Sequence, residues 1–584
     1  MKRPVVIVLC LSLLACGPGG EHEGEVAQSL AMKVSALGVP CEGNANSFNS
    51  IDTIRVCGEA RISGAEGGPS VERTLFDRVL PVSDTMTLGD IPVSDSYKLT
   101  VVGEFEGEST YLGLVEDVAV SVGATADVGV EWLPYNGTSC VSVNAAGKPA
   151  HRAFSAGTIL PDGSYFFGGG FSAFQATSDN GGTLKPGSTK TYLFDAATGT
   201  LSSGPDIKYG RGGHTMVYVP QSQQVLVIGG LSEMSYSSAA GVFPFTMDSV
   251  VAIPQVEVID FSAELPVLVS QSSNDELKLN KQRVFPKALV TATGEVLVSG
   301  GYDWAKNPDD PNNSEAGGYK KIEVLVNVGE GAEASWQLDP SIALNDETAR
   351  SGHSFDWIKN EQTSLGKTME VLLLWGGSRG SASAATIIRS ISDGDKSRIS
   401  PTLDDGGTGF IPSFFHSMTH LGDGRLLAIG GVSPGEDGKL SQLLDDQAYL
   451  IEYSNPEGNN PTLTITKQPG LNPGRYFHTA QFHAGGTVSA FGGFVDLEGN
   501  ATGEIVGYNQ NGNNAINILK AVNDFPPRAA HLSVPLQMGG TYLATGIGAM
   551  TDLGLEEAML SQLMVSPAFD ICVSPTPQPG EGVE

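Results

Sequence analysis

Val225-Leu226-Val227-Ile228-Gly229-Gly230 is a strand-like apolar run that stops on a glycine pair, and the phrase returns along the chain. Val296-Leu297-Val298-Ser299-Gly300-Gly301 and Leu426-Leu427-Ala428-Ile429-Gly430-Gly431 repeat it closely. Tyr165-Phe166-Phe167-Gly168-Gly169, Leu372-Leu373-Leu374-Trp375-Gly376-Gly377 and Val488-Ser489-Ala490-Phe491-Gly492-Gly493 are further copies, and Tyr542-Leu543-Ala544-Thr545-Gly546-Ile547-Gly548 closes the series in degenerate form. A short apolar run bounded by turn residues reads as a buried strand. Other glycine pairs, such as Gly67-Gly68 and Gly406-Gly407, lack the apolar run and read as loop.

A second phrase sets these seven copies apart. Arg211-Gly212-Gly213-His214, Arg350-Ser351-Gly352-His353, Arg475-Tyr476-Phe477-His478 and Arg528-Ala529-Ala530-His531 share R-x-x-H upstream of a glycine pair. Lys148-Pro149-Ala150-His151 and Ser413-Phe414-Phe415-His416 vary its first position, and Arg283-Val284-Phe285-Pro286 varies its last. A first strand such as Thr215–Val219 lies between the phrases, followed by turn pairs (Asp162-Gly163, Thr293-Gly294, Asp423-Gly424) of the kind that need positive φ. A third element follows several glycine pairs: Thr191-Tyr192-Leu193-Phe194-Asp195, Val256–Asp260 and Tyr449–Tyr453.

Strand, turn, glycine-ended strand, a Tyr-x-x-Asp-like strand and an outer strand together resemble the kelch repeat. Tryptophan, usual in the family's outer strand, is replaced by Leu201 in the first repeat, and Trp336 fills the place in the third. Successive pairs, counted from Gly168, Gly229, Gly300, Gly376, Gly430, Gly492 and Gly546, lie roughly 54 to 76 residues apart, against about 50 for a kelch unit. The excess is read as loop insertions over Phe171–Thr189, Leu231–Ser249, Tyr302–Lys320 and Ser392–Gly409. Repeats that cannot bury their own sheet faces must stack, and a closed ring leaves no end repeat exposed. The resemblance implies an all-β chain: a seven-bladed kelch β-propeller over 137–575, preceded by a small β-sandwich.

Composition agrees with many short strands. Gly accounts for 74 of 584 residues, and no sustained helical periodicity is found beyond a short helix expected near Leu555–Met564. The chain exceeds what one ordinary core serves. Its formal charge of −31 repels phosphate backbones, which argues against nucleic acid as a partner.

Lys2 and Arg3 precede the apolar run Val5–Leu14, too short to span a bilayer and read as the core of a signal peptide over 1–15. Leu13-Leu14-Ala15-Cys16-Gly17 resembles the bacterial lipobox, which implies lipidation of Cys16. With no Asp after Cys16, the resemblance implies a lipid anchor in the outer membrane. Residues 16–38 then serve as lipidated tether and linker. Alternating strands from residue 39 to 134, including Ile51–Cys57, Ser96–Val102, Val118–Gly123 and Ala126–Trp132, predict the β-sandwich. Leu88–Val101 resembles the carboxypeptidase-regulatory or transthyretin-like modules of exported bacterial proteins.

Outside the signal region four cysteines remain: Cys41, Cys57, Cys140 and Cys572. An even number in an exported chain reads as disulfides. Cys41 and Cys57 share the small module. Ring closure by strands Ser139–Val143 and Ala568–Val573 would bring Cys140 to Cys572, stapling the seam with a bridge worth up to roughly 4–5 kcal/mol in the chain-entropy model. The Pro- and Gly-rich tail 576–584 is expected to be disordered.

Catalytic signatures are weak. Six of nine histidines sit in or near the repeat phrase (His151, His214, His353, His416, His478, His531), but each belongs to a different repeat, so the ring sets them too far apart to share one ion. They read as side chains hydrogen-bonded to backbone at each blade entry, and neither metal nor cofactor is expected. His416/His420 and His478/His483 carry little metal signal on strands. The copper-radical oxidases built on this fold need a Tyr-His dipeptide and a crosslinked cysteine; the chain has no Tyr-His, and no cysteine between Cys140 and Cys572. Gly376-Gly377-Ser378-Arg379-Gly380 fits the nucleophile-elbow spacing without the helix that the elbow requires. Ser178–Thr183 resembles a sialidase Asp-box, but its spacing is off by one, and it reads as a polar loop. Asp309–Asn313 and Asp393–Asp395 match no calcium-loop spacing and read as solvated insertions. Arg211, Arg350, Arg475 and Arg528 are the candidate ligand-binding positions, as a ring of cations at the propeller mouth that would take an anionic glycan. Salt-bridged structural arginines are the other reading, and the weightier of the two.

The chain therefore reads as a surface-anchored, monomeric lipoprotein whose propeller binds protein or polysaccharide without catalysis, since rigid rings present loops well. A mutarotase- or lyase-like carbohydrate enzyme with its site in the propeller mouth is the alternative.

Overall fold

A computed structural model describes residues 28–36, 51–62, 71–83 and 86–134, and from 138 to 565 all but short stretches, the longest being 144–151, 237–246, 270–275, 302–318, 378–383, 519–526 and 547–560. The fold is all-β: the described residues contain no helix, and so none long and apolar enough to cross a membrane.

The N-terminal module is one continuous sheet. Its strands are β1 (Ser29–Ala36), β2 (Thr53–Ile62), β3 (Val71–Pro81), β4 (Met86–Gly89), β5 (Ser94–Phe105), β6 (Glu108–Val120) and β7 (Thr125–Pro134), in the order β3-β2-β5-β6-β7-β1-β4. This corrects two expectations. Residues 29–36 are not linker: β1 runs parallel to β7 and antiparallel to β4, because Leu30 and Met32 alternate into the core. Nor are there two sheets facing each other. All seven strands supply one core through residues such as Met32, Val56, Phe76, Leu88, Leu99, Tyr111 and Val130, so the single sheet curls around its own interior. The opposite face offers Val102, Leu112 and Leu133 to Phe194, Leu201 and Tyr542 of the remaining chain.

Beyond residue 138, each glycine-ended strand is the second strand of its own sheet. The second sheet is representative: Thr215–Val219, Gln224–Ile228, Val256–Asp260 and Val267–Leu268 pair antiparallel in that order. Val225, Leu226, Val227 and Ile228 are all fully buried, because such a strand is covered on both faces. Val225 and Val227 pack on Phe166 of the first sheet, whereas Leu226 and Ile228 pack on Val296 and Val298 of the third. The stacking continues from sheet to sheet through Leu297 on Leu374, Leu373 on Leu426, Leu427 on Val488, and Phe491 on Leu543. It returns to its start where Tyr542 of the seventh sheet stacks on Phe194 of the first, with ring centroids 3.8 Å apart. The first strands touch in the same cyclic order, Leu532–Pro535 meeting Ala156–Ile159.

The seventh sheet joins distant parts of the chain. Its outer strand, Thr138–Cys140, pairs with Ser561–Val565, which pairs with Gly540–Ala544. Residues 561–564 of the helix expected near Leu555–Met564 belong instead to the strand Ser561–Val565, while the rest of it and the expected closing strand Ala568–Val573 lie outside the described residues. Two expected loop insertions are also strands: Phe174–Ala176 and Gly182–Leu184 form a sheet with Leu231–Tyr236 and Met247–Ala252 from the next insertion.

Candidate functional site: the axial cavity

The seven upstream phrases converge on one axis, and each position in the phrase has one structural task. The first residue is the arginine. Arg211, Arg283 and Arg350 are at most 1% exposed. Each donates to the carbonyl of the first glycine of its own pair, Gly229, Gly300 and Gly376, at 2.8, 2.6 and 2.7 Å. Each also pairs with a buried carboxylate: Glu257 at 2.5 Å, Glu323 at 2.8 Å and Asp346 at 2.5 Å. Arg475 is held by Glu504 in the same way, and burial lowers it to about 10. Arg528 is likewise buried. The expected ring of ligand-binding arginines is therefore corrected: Arg211, Arg350, Arg475 and Arg528 point into protein, and the first three tie strand ends inside their own sheets.

The third residue takes a left-handed backbone in every copy, with φ of 61° at Phe154, 60° at Gly213, 55° at Phe285, 58° at Gly352, 56° at Phe415, 52° at Phe477 and 51° at Ala530. That conformation turns each amide toward the preceding copy. Gly213 donates to Phe154, Phe285 to Gly213, Phe415 to Gly352, Phe477 to Phe415, Ala530 to Phe477 and Phe154 to Ala530, at 2.7–3.2 Å. The positive φ and the backbone bonds of Phe154 correct the register: the first copy is Arg152-Ala153-Phe154-Ser155, not Lys148–His151, and His151 lies outside the described residues. The glycine pairs shift likewise. Gly169-Gly170 and Thr545-Gly546 hold the positive-φ positions, and Gly546 donates to the carbonyl of Arg152 at 2.9 Å.

The third-position side chains meet on the axis. Phe154, Phe285, Phe415 and Phe477 pack together at centroid distances of 4.3–5.8 Å. A Cβ on Gly213 or Gly352 would come within 2.9 Å of the Phe285 or Phe415 ring, so the small residues make room for the large ones. Phe171, Leu231, Val432 and Phe494, just past the glycine pairs, pack on one end of this plug. The rings of the four phenylalanines also line a cavity of about 450 Å³, walled by the first strands.

The fourth residue is histidine in five copies. His416, His478 and His531 each bond through Nε2 to the hydroxyl that follows the preceding copy: Ser354 at 2.9 Å, Ser417 at 2.8 Å and Thr479 at 2.8 Å. The expected backbone partner is present for His416, whose Nδ1 meets the Ser413 carbonyl at 3.2 Å, and the side-chain hydroxyl on the neighbouring sheet is a second partner that the sequence did not show. Burial lowers His416 to about 4 and His214 and His478 to about 3, and takes His353 and His531 well below the ordinary value. The imidazoles are neutral. Among the described residues no three His, Cys, Asp or Glu side chains group closely enough to hold a metal ion.

The ladder changes where hydroxyls are missing. His214 follows a copy that ends on Ala156, and neither of its ring nitrogens has a hydrogen-bond partner among the described residues. Lys287 occupies the hydroxyl position before His353, which turns instead to Ser299 at 2.8 Å. Lys287 keeps surface accessible to the cavity, yet protein surrounds it and burial pushes its amine down, with Asp356 opposing the shift. Burial raises Asp356, which accepts the Trp357 amide at 2.8 Å. Both charged groups line the cavity.

Sequence reading missed Lys287 and Asp356. The available signal was the departure of Lys287 from the Thr215, Ser354, Ser417, Thr479 pattern. Among the predicted disulfide positions, Cys57 is buried, Cys140 ends a strand opposite Gln562, and Cys41 and Cys572 lie outside the described residues, as do Cys16 and Ser378–Gly380. Searched against models of known protein families and against curated proteins, the chain matches none.

Proposed function

We propose that residues 138–565 form a seven-bladed propeller of the kelch type and that it works as a non-catalytic binding module for polysaccharide or protein, on a lipoprotein held at the outer membrane through Cys16. The cyclic stacking of glycine-ended sheets supports the ring. The axial cavity supports binding: about 450 Å³, apolar at the phenylalanine plug and polar along its walls, it has the size and mixed lining of a small-molecule or sugar site. Its walls are paired strands, so the polar groups are held in place without an ordering cost on binding.

A glycan array probed with the soluble chain from residue 28 tests this. Reproducible binding that the Ser533→Trp variant loses, while a Ser341→Trp control outside the cavity retains it, is the expected result. Binding untouched by changes in the cavity removes the axial site from the proposal. A second reading, a mutarotase- or lyase-like enzyme, is favoured by one observation. Lys287 and Asp356 share the cavity with values shifted toward one another, as in acid–base pairs. Turnover of any sugar in the same panel, lost in Asp356→Asn, would replace the non-catalytic reading. Labelling of Cys16 by a palmitate analogue, and non-reducing peptide maps joining Cys41 to Cys57 and Cys140 to Cys572, test the anchor and the staples.

A further inference from the structure

In a repeat fold the shared positions build the frame, so departures that gather in one place point to a task other than building it. The histidine–hydroxyl ladder is regular from the fourth sheet to the seventh, through Ser354–His416, Ser417–His478 and Thr479–His531. Apart from Leu532, which stands for the hydroxyl after His531 in the seventh sheet, the departures fall on the first three sheets and the step to the fourth. Ser155 and Ala156 stand for His and hydroxyl, His214 finds no acceptor or donor, Pro286 replaces a histidine, and Lys287 replaces a hydroxyl. The first strands of these sheets are neighbours, and Ser155, His214 and Lys287 all line the cavity.

The chemistry left open in this sector is specific. His214 is 6% exposed and carries two buried ring nitrogens without partners, a state that costs free energy unless something polar meets them. The Lys287 amine brings three donors and makes no ion pair or hydrogen bond among the described residues. Asp356 feels its charge but already receives the Trp357 amide. The sector therefore offers one cationic donor and one neutral imidazole, which can donate from one nitrogen and accept at the other.

We infer that this sector of the axial cavity seats a sugar acid of hexuronate size, with its carboxylate on Lys287 and a hydroxyl on His214. The inference rests on the binding-module reading and names the ligand class of that same site.

Titration calorimetry of the chain from residue 28 with D-glucuronate, D-galacturonate and D-mannuronate, set beside glucose, galactose and mannose, tests it. At least one uronate should bind about tenfold or more tightly than its neutral counterpart, the value of one charge-assisted contact. Lys287→Met should abolish that preference, Lys287→Arg should keep part of it, and His214→Phe should weaken acid and neutral sugar alike. Lys467→Met, on an outer strand, serves as the control. Because Lys287→Met could perturb folding, the native chain is also treated with acetic anhydride, and acetylation of Lys287 is followed by peptide mass. A binding uronate should protect it selectively. Equal affinity for acids and neutral sugars, or acetylation unchanged by all three uronates, overturns the inference. Array binding that survives Lys287→Met while Ser533→Trp removes it would overturn this seat and leave the binding module standing.

Discussion

At the residue scale, the glycine pair and the arginine form one device. The second glycine lets the chain pass over the histidine Cβ of its own phrase, and the first accommodates the next phrase: a Cβ on Gly169 or Gly300 would lie 2.4 or 2.3 Å from the Cε1 of His214 or His353. The arginine then satisfies the first-glycine carbonyl that this sharp exit turns inward. Buried charge makes the device fragile. Arg283 is 0% exposed, and its partner Glu323 also accepts the Asn280 amide at 2.7 Å. Glu323→Gln should therefore cost about 3–5 kcal/mol, the usual penalty for stranding a buried charge, read as a lower urea midpoint at unchanged slope. A loss below about 1 kcal/mol would show that Lys321 and Gly300 carbonyls suffice for the guanidinium. The arginines were legible in sequence as a repeated residue with a structural, salt-bridged task among its readings, but their carboxylate partners were not. A repeated spacing looks the same whether the side chain faces a ligand or a carboxylate, and the carboxylate sits at no fixed offset: 46 residues from Arg211, 40 from Arg283, 29 from Arg475 and four from Arg350.

At the element scale, strand identity was legible wherever both faces are buried. Val225–Ile228 and Leu426–Ile429 can only be middle strands. Registers at the chain's edges were not legible, because there the pattern gives no anchor. The first phrase was placed on the histidine at 151, whereas the positive φ of Phe154 places it four residues on, and Leu30 and Met32 became meaningful only once β7 lay beside them. The seam shows what closure adds. Tyr542 stacks on Phe194 and meets Tyr165 and Phe167 edge-on or tilted, an aromatic cluster that joins the last sheet to the first. Tyr542→Ala should cost about 3–5 kcal/mol, as for other large-to-small core changes. Proteolysis near residues 138–143 should accelerate along with it, because the outer strand Thr138–Cys140 belongs to the same sheet. Destabilisation without faster cleavage there would detach the seam from that strand.

At the scale of the whole molecule, the stacking of sheet on sheet puts five histidines into the interior in neutral form, a consequence invisible in any single repeat. Burial holds each below its unfolded value of 6.5, and neighbouring cations add to it: Arg211 for His214, Arg350 and Lys287 for His353, Lys287 for His416, Arg475 for His478 and Arg528 for His531. Since the folded value is depressed, the unfolded chain binds more protons between the two values, and stability rises with pH there. The contribution is complete above about 6.5 and is lost as the pH falls toward about 4 for His416 and about 3 for His214 and His478. Between pH 7 and about 5.5, carboxylates barely titrate, and each histidine should withdraw about 1 kcal/mol. The unfolding free energy from urea titrations across that interval should fall accordingly, by about 5 kcal/mol for the five together, with the midpoint falling in proportion. His416→Gln should reduce the slope by about a fifth whatever its own cost to stability, because it removes one proton from the difference. A midpoint independent of pH over this range would mean that the imidazoles are already hydrated in the native chain, and that the ring does not close around them.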